Sequence, residues 1–272
     1  MKKFKDKVAV ITGASNGIGF GIAERCAQEG MKVVLAGINY DNLIQAEKAL
    51  TSTGAKTLCV ETDVSKLTDI EALAQETLDT FNGVHLLVNN AGVAAGGTIW
   101  ESTWADWKWV MDVNLWGVLY GVKVFAPIMI EQDMEGHIVN TASIAGLIPY
   151  HESAPYQVTK RAVVGLSESL HHSLESRNSK VKVSVLCPGW VKTRIIDSER
   201  NRPKELRNES SVSISGERKE FIERARKEIE AGMSIQKVAE YVFQAIINEQ
   251  LFVLTHREYD SLLRDRLEDV LQ

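Results

Sequence analysis

The sequence predicts an α/β fold: a single doubly wound domain over residues 1–272, with a seven-stranded parallel sheet, helices on both faces and a helical flap at about 190–232. Three observations predict it. Short apolar runs alternate with helical patterns of about 12–15 residues, the signature of βαβ units. The runs are continuously apolar rather than alternating, which fits strands buried on both faces. No repeat, low-complexity tract or Pro/Gly-rich linker divides the chain.

The elements follow in order. Lys7-Val-Ala-Val-Ile11 is an apolar run before a glycine-rich turn, hence a buried strand. A helical pattern then runs to Glu29 and stops at Gly30. Met31 to Ala36 is the second strand. Asp41 to Thr53 is a helix with an acid near its start and Gly54 just past its end. Lys56 to Glu61, Leu67 to Phe81 and Val84 to Val88 read as strand, helix, strand. Thr103 to Ile130 reads as one long helix, Gly136 to Thr141 as a strand, and Ala154 to Asn178 as a second long helix. Val181 to Leu186, Ser234 to Asn248 and Leu251 to Thr255 complete the alternation. The exception is Arg194 to Glu230, with 19 charged residues in 37 and no strand signal. Its second half carries a thin apolar stripe, Phe221, Ile222, Ala225 and Ile229, and reads as a helix in a mobile flap over a site.

Composition narrows the function. A formal net charge of −5 and no basic run give no reason to expect nucleic acid. Neither a signal-peptide core nor an apolar run long enough to span a membrane is expected. Cys26, Cys59 and Cys187 match no disulfide or metal spacing and read as free thiols in a reducing cytoplasm. His171-His172 has no further ligand-type residue at metal spacing, so no metal is expected.

Two constellations carry chemistry. Gly13-x-x-x-Gly17-x-Gly19 lies between the first strand and the first helix. There glycines let backbone approach a phosphate closely, and the helix N-terminus supplies free N–H groups and a positive dipole. After the second strand stands Ala36-Gly37-Ile38-Asn39-Tyr40, with no carboxylate before Asp41 to repel a 2′-phosphate and no Arg to attract one. The second constellation is Ser143 with Tyr156 and Lys160. Tyr and Lys four apart share a helix face. An ammonium beside a phenol lowers its pKa. A serine hydroxyl arriving from a strand end can hold a substrate oxygen beside the phenol, which suits proton transfer at an alcohol or carbonyl oxygen.

Together these motifs resemble those of the short-chain dehydrogenase/reductase family, over nearly the whole chain. Thr12-Gly-Ala-Ser-Asn-Gly-Ile-Gly19 is similar to its cofactor turn, Asp63 to its adenine-contacting residue, and Asn89-Asn90-Ala91-Gly92 to its motif after the fourth strand. Asn114, Ser143, Tyr156 and Lys160 are similar to its catalytic tetrad, with the common Ser-to-Tyr spacing of 13. Pro188-Gly189-Trp190-Val191-Lys192-Thr193 resembles the segment that closes over the nicotinamide. The departure is Gly37-Ile38, where members carry residues that select the cofactor.

The resemblance implies a Rossmann-type, NAD(P)-dependent oxidoreductase, leaning to NADP(H), that interconverts a secondary alcohol and a ketone. It implies cofactor contacts from Gly13, Ser15, Asn16, Gly17, Ile18, Gly19, Asn39, Asp63, Val64, Asn90, Ala91, Gly92, Tyr156, Lys160, Pro188, Gly189, Val191 and Thr193. Tyr156 would pass the proton, Ser143 orient the oxygen, Lys160 lower the phenol's pKa and hold the ribose, and Asn114 hold a water. A cytoplasmic homodimer or homotetramer pairing through helices 103–130 and 154–178 is also implied.

For the substrate, Ser143, Tyr150, His151, Tyr156 and Trp190 are the candidates. Leu147, Ile148 and Tyr150, with Val191, Ile195, Ile196, Leu206 and the 221–229 stripe, would form an apolar pocket for a bulky substrate such as a hydroxysteroid. A 3-oxoacyl or sugar/polyol carbonyl reductase is the alternative, and a non-catalytic cofactor-binding regulator the alternative of another class. Five of the six tryptophans, Trp100, Trp104, Trp107, Trp109 and Trp116, fall within 17 residues. They point to core or subunit contacts; substrate contact is the lesser alternative, with Trp100 its best candidate.

Overall fold

A computed structural model describes residues 1–52, 54–149, 153–209 and 216–272. Its centre is a parallel sheet of β1 (Val8–Thr12), β2 (Lys32–Gly37), β3 (Thr57–Glu61), β4 (Leu86–Asn89), β5 (Gly136–Thr141), β6 (Val181–Cys187) and β7 (Phe252–Leu254). The strand order is β3-β2-β1-β4-β5-β6-β7, every pairing parallel. Order reverses between β1 and β4, and a crevice at such a switch point lies beyond the strands' carboxyl ends.

Alternate residues of one strand feed opposite faces. Ala9 and Ile11 of β1 pack with Ile22 and Cys26 of α1 (Gly17–Gln28) and with Val242 and Phe243 of α8 (Ile235–Asn248). Val8 and Val10 face the other way. They join Ile70 and Leu73 of α3 (Leu67–Phe81) and Phe125 and Met129 of α5 (Gly117–Glu131). α2 (Tyr40–Thr51), α6 (Ala154–Ser176), α7 (Gly216–Ala231) and α9 (Asp260–Leu271) complete the helices named here, with α4 (Trp104–Met111).

Four expectations change. The helix expected over 103–130 is α4, a π-helical turn over Asp112–Trp116, and α5. In that turn Gly117 N–H bonds to Asp112 O, one residue further than an α-helix reaches. The stretch Trp104–Glu131 is, contrary to the sequence reading, apolar and long enough to cross a membrane by length and composition alone. Its apolar residues are those that the sheet and α3 require: Val118, Phe125, Ala126 and Met129 are buried. α9 was not foreseen; its Leu267, Val270 and Leu271 are exposed, so no buried stripe marked it. The flap's first half, finally, is stitched to α4 and its N-cap. Arg202 and Asp106 pair at 2.6 Å with their side chains 1% and 5% exposed. Asn208 bonds to both Asp106 and Thr103. Thr53, at the expected end of the second helix, lies outside the described residues.

Candidate active site

Most of the expected motifs sit where strands end, and one cavity of about 1300 Å³ collects most of them. After β1, Gly13 and Gly17 adopt φ of +63° and +58°, left-handed values that favour glycine. A side chain at Gly13 would put Cβ 2.9 Å from Ala91 Cα, and one at Gly19 would put it 2.5 Å from Asn90 Nδ2. The turn and the loop after β4 are thus pressed together. Asn90 Nδ2 donates to Thr12 O at 3.0 Å, while the N–H groups of Asn90 and Ala91 donate to Thr12 Oγ1 at 2.9 and 3.1 Å. Gly17 faces Thr193 of the segment after β6, 3.3 Å from where its Cβ would stand.

Ser15, Asn16, Ile18, Asn39, Asp63, Val64, Gly92, Pro188, Gly189 and Val191 line the same cavity. Gly19 and Asn114 stand behind its wall. Asn39 Oδ1 accepts from Asn42 N–H and caps α2, and Asp63 Oδ1 accepts from Ser65 Oγ at 2.6 Å. This glycine cradle at the N-terminus of α1, its backbone closed off to any side chain, fits a dinucleotide's phosphates. Thr141 lines the cavity, and its buried Oγ1 has no hydrogen-bond partner among the described residues.

The proton-handling groups come from three elements. Ser143 lies two residues beyond β5; its Oγ accepts from Ala145 N–H at 3.2 Å. Tyr156 and Lys160 lie in the first turns of α6, where Pro155 sets the N-terminus without wasting a donor. Lys160 Nζ donates to Thr141 O at 2.8 Å and sits 5.5 Å from the centre of the Tyr156 ring. Asn114 projects from the π-turn. Its Oδ1 accepts from Val93 N–H at 2.8 Å and its Nδ2 donates to Val93 O at 2.9 Å and Thr159 Oγ1 at 3.3 Å. Gly92 fills the gap between them: a Cβ there would lie 3.4 Å from Asn114 Oδ1 and 3.5 Å from Lys160 Nζ.

The electrostatics correct one expectation. Burial pushes the Tyr156 phenol up, and the Ser143 hydrogen bond opposes that shift. Lys160 is not what sets it. Instead burial pulls the Lys160 ammonium down to about 8. The phenol is therefore a protonated donor at neutral pH.

On the substrate side, Trp190, Ile148, Val191, Ile195, Ile196, Leu206, Phe221, Ile222 and Ile229 line the cavity. Leu147 turns away and packs with Val163 and Val185. Tyr150 and His151 lie outside the described residues. Trp100 is 84% exposed and takes no part in the lining. Of the five clustered tryptophans the one that does is Trp109, buried, with the Arg202 guanidinium 5.0 Å from its ring centre. Its neighbour seven residues on, Trp116, stacks on Tyr120 and is partly exposed. Sequence reasoning also missed Ser153, whose Oγ donates to Ala95 O at 2.7 Å, and Tyr259, which lines the cavity from beyond β7. Neither belongs to a motif, and no residue pattern marked them.

Comparison with known proteins agrees with this geometry. Residues 7–204 match the family model for short chain dehydrogenases. A CLA biosynthesis dehydrogenase/reductase of Lactiplantibacillus plantarum is 35% identical over 277 residues, covering 100% of this chain and 95% of that one. A 1-deoxy-11-beta-hydroxypentalenate dehydrogenase of Streptomyces exfoliatus is 29% identical, covering 97% and 88%. Among solved structures, a short chain dehydrogenase/reductase from Burkholderia phymatum in complex with NAD is similar at 43% identity and a TM-score of 0.96, covering 99% of this chain and 96% of that one.

Proposed function

The chain belongs to the short-chain dehydrogenase family and is an NAD(P)-dependent oxidoreductase; from that premise we propose that it interconverts a secondary alcohol and a ketone on a bulky, largely apolar substrate. The observation that carries the proposal is the convergence of Ser143, Tyr156 and Lys160 on one cavity with the glycine cradle at its far end. Bound there, a nicotinamide dinucleotide supplies or removes the hydride. The protein's part is the proton. In the reducing direction Tyr156 gives its phenolic proton to the developing alkoxide, and Ser143 Oγ holds that oxygen. Lys160 faces the phenolate so formed and holds ribose hydroxyls. Gly92 leaves room for the lysine's ammonium beside the cavity. Oxidation runs the same transfers backwards.

The cofactor reading is NAD(P) with weak discrimination. Gly37, Ile38, Asn39 and Asn42 line the cavity at the end of β2, and none of them carries a charge. No carboxylate there turns away a 2′-phosphate, which admits NADP(H), and the NAD complex of the Burkholderia relative supports NAD(H). A bulky apolar substrate is supported by the walls that Trp109, Ile148, Leu206, Phe221 and Ile229 provide. Pairing between copies through the helical stretches 103–130 and 154–178 is supported by Trp116 and Val158, which leave apolar surface exposed on those two stretches. The test is oxidation of NADH and NADPH with a panel of steroid, diketone, acyl and sugar carbonyls, and reduction of NAD⁺ and NADP⁺ with the matching alcohols. Turnover confined to sugars would overturn the apolar reading, and cofactor binding with no turnover on any member would favour the regulator.

A further inference from the structure

We propose that His256 is a positioning residue for the segment 188–193: held as the Nε2–H tautomer, its imidazole fixes the backbone of Gly189 and Trp190 over the cavity. The inference rests on the reading above, in which that segment closes over a bound dinucleotide.

His256 lies just beyond β7, in a stretch that belongs to no motif. It is buried, and both ring nitrogens are used. Gly189 N–H points at Nδ1 at 3.1 Å, the Thr255 hydroxyl lies 2.7 Å from the same nitrogen, and Nε2 faces Trp190 O at 3.0 Å. These partners choose the tautomer. A carbonyl can only accept, so Nε2 must carry the proton. An amide N–H can only donate, so Nδ1 must be bare. The Thr255 hydroxyl rotates to donate as well. The Nδ1–H tautomer would set two N–H groups face to face and two lone pairs face to face. An imidazolium would satisfy Trp190 O but still oppose Gly189 N–H.

The contact is built, not incidental. A Cβ on Gly189 would come 2.7 Å from the Tyr259 ring and 2.9 Å from His256 Cγ, so only glycine lets the segment seat on the imidazole. Trp190 O also accepts from Met233 N–H at 3.0 Å, and Lys192 N–H donates to Met233 O at 2.9 Å. From the opposite side Ile144 N–H donates to Pro188 O at 2.9 Å. The segment is thus held at three points, by the loop after β5, by the start of α8 and by His256. The first two are backbone contacts that any residue supplies. His256 is the side chain on which the Gly189 end depends. Tyr259, one turn on, lines the cavity beside it, so the same piece of chain both anchors the segment and walls the site.

Two measurements test this on the full-length protein. The first is the two-bond proton–nitrogen correlation spectrum of protein labelled with ¹⁵N-histidine at pH 7, with His256 assigned from the spectrum of His256→Asn. The expected pattern is Nε2–H; an Nδ1–H or imidazolium pattern overturns the proposal. The second is NADH titration followed by cofactor fluorescence, with melting temperature recorded alongside. His256→Phe keeps ring bulk but neither hydrogen bond, His256→Asn keeps an acceptor toward Gly189, and His256→Gln keeps a donor toward Trp190. The expected NADH Kd rises about tenfold or more in the Phe variant and less in the other two. A Phe variant within twofold of wild type, even with a lowered melting temperature, assigns His256 a purely structural role and overturns the proposal. If the Phe variant does not fold, Asn and Gln variants that both bind NADH as wild type does overturn it equally. A wild type that binds neither NADH nor NADPH overturns the oxidoreductase reading and this inference with it, whereas a failed variant test on a wild type that binds overturns the inference alone.

Discussion

Lys160 carries its charge to a place only 3% exposed, with Thr141 O as its hydrogen-bond acceptor. Burial disfavours the charged form, hence a value of about 8 against the usual 10.5. The sign of the pH effect follows. Between pH 8 and 10.5 the unfolded chain binds this proton and the folded one does not, so stability contributed by this site rises with pH. Below pH 8 the buried charge costs stability in full. Lys160→Met removes that cost, so its stability relative to wild type should fall by about 2–3 kcal/mol between pH 7 and pH 10 in urea titrations. A difference that stays flat across that range would mean the ammonium is solvated. At the same scale, Gly19→Ala would force a Cβ to 2.5 Å from Asn90 Nδ2. NADH affinity should drop at least about tenfold, measured by fluorescence titration, because the turn cannot keep both its shape and its seat on Asn90. Both residues were legible from their motifs. What the residues alone gave wrongly was the direction of the Tyr156 shift. The Tyr156–Lys160 spacing says that two groups share a face, but not how deep that face lies, and depth decides the electrostatics.

At the scale of elements, the informative departures from the sequence are α4, the π-turn and the flap. An extra residue inserted at Asp112–Trp116 leaves hydrophobic spacing on either side intact, so periodicity reads one helix through it. Asn114 is the only local mark, and its amide spans to the backbone of Val93. The flap's charge content suggested a segment free of the sheet. Charge along a sequence does not reveal pairing, and Arg202 with Asp106, 96 residues apart, forms a buried ion pair roofed by Trp109. Arg202→Met leaves the Asp106 carboxylate buried without its cation. That should cost about 3–5 kcal/mol in denaturant unfolding, and adding Asp106→Asn should recover part of it. If the single change is within 1 kcal/mol of wild type, water reaches the pair and the flap is not anchored there. Anchoring also predicts that the wall carrying Leu206 and Trp109 stands before substrate arrives.

For the molecule as a whole, the sheet and its order of elements were readable because parallel strands buried on both faces leave continuous apolar runs. The ends of those strands bring Gly13, Asn90, Ser143 and Gly189 together, and no local pattern shows that convergence. The C-terminal stretch was unreadable for the opposite reason: α9 buries no stripe, yet before it Tyr259 lines the cavity and His256 bonds to the Gly189–Trp190 backbone that lines it. Cofactor choice is likewise a property of the assembled cavity. NADH and NADPH affinities within about tenfold of each other are expected, and Asn39→Asp should shift the ratio toward NADH by about tenfold or more in competitive titrations. A strong wild-type preference would point to a charge reaching the adenosine end from elsewhere. The central claim is that this cavity couples hydride transfer to proton transfer through the Tyr156 hydroxyl. Removing that one oxygen tests it most directly: Tyr156→Phe, assayed on the best carbonyl of the panel beside NADH affinity. The account predicts turnover reduced by about 10²–10⁴-fold with the NADH Kd within about twofold of wild type. A variant that keeps more than a few per cent of wild-type turnover would contradict it.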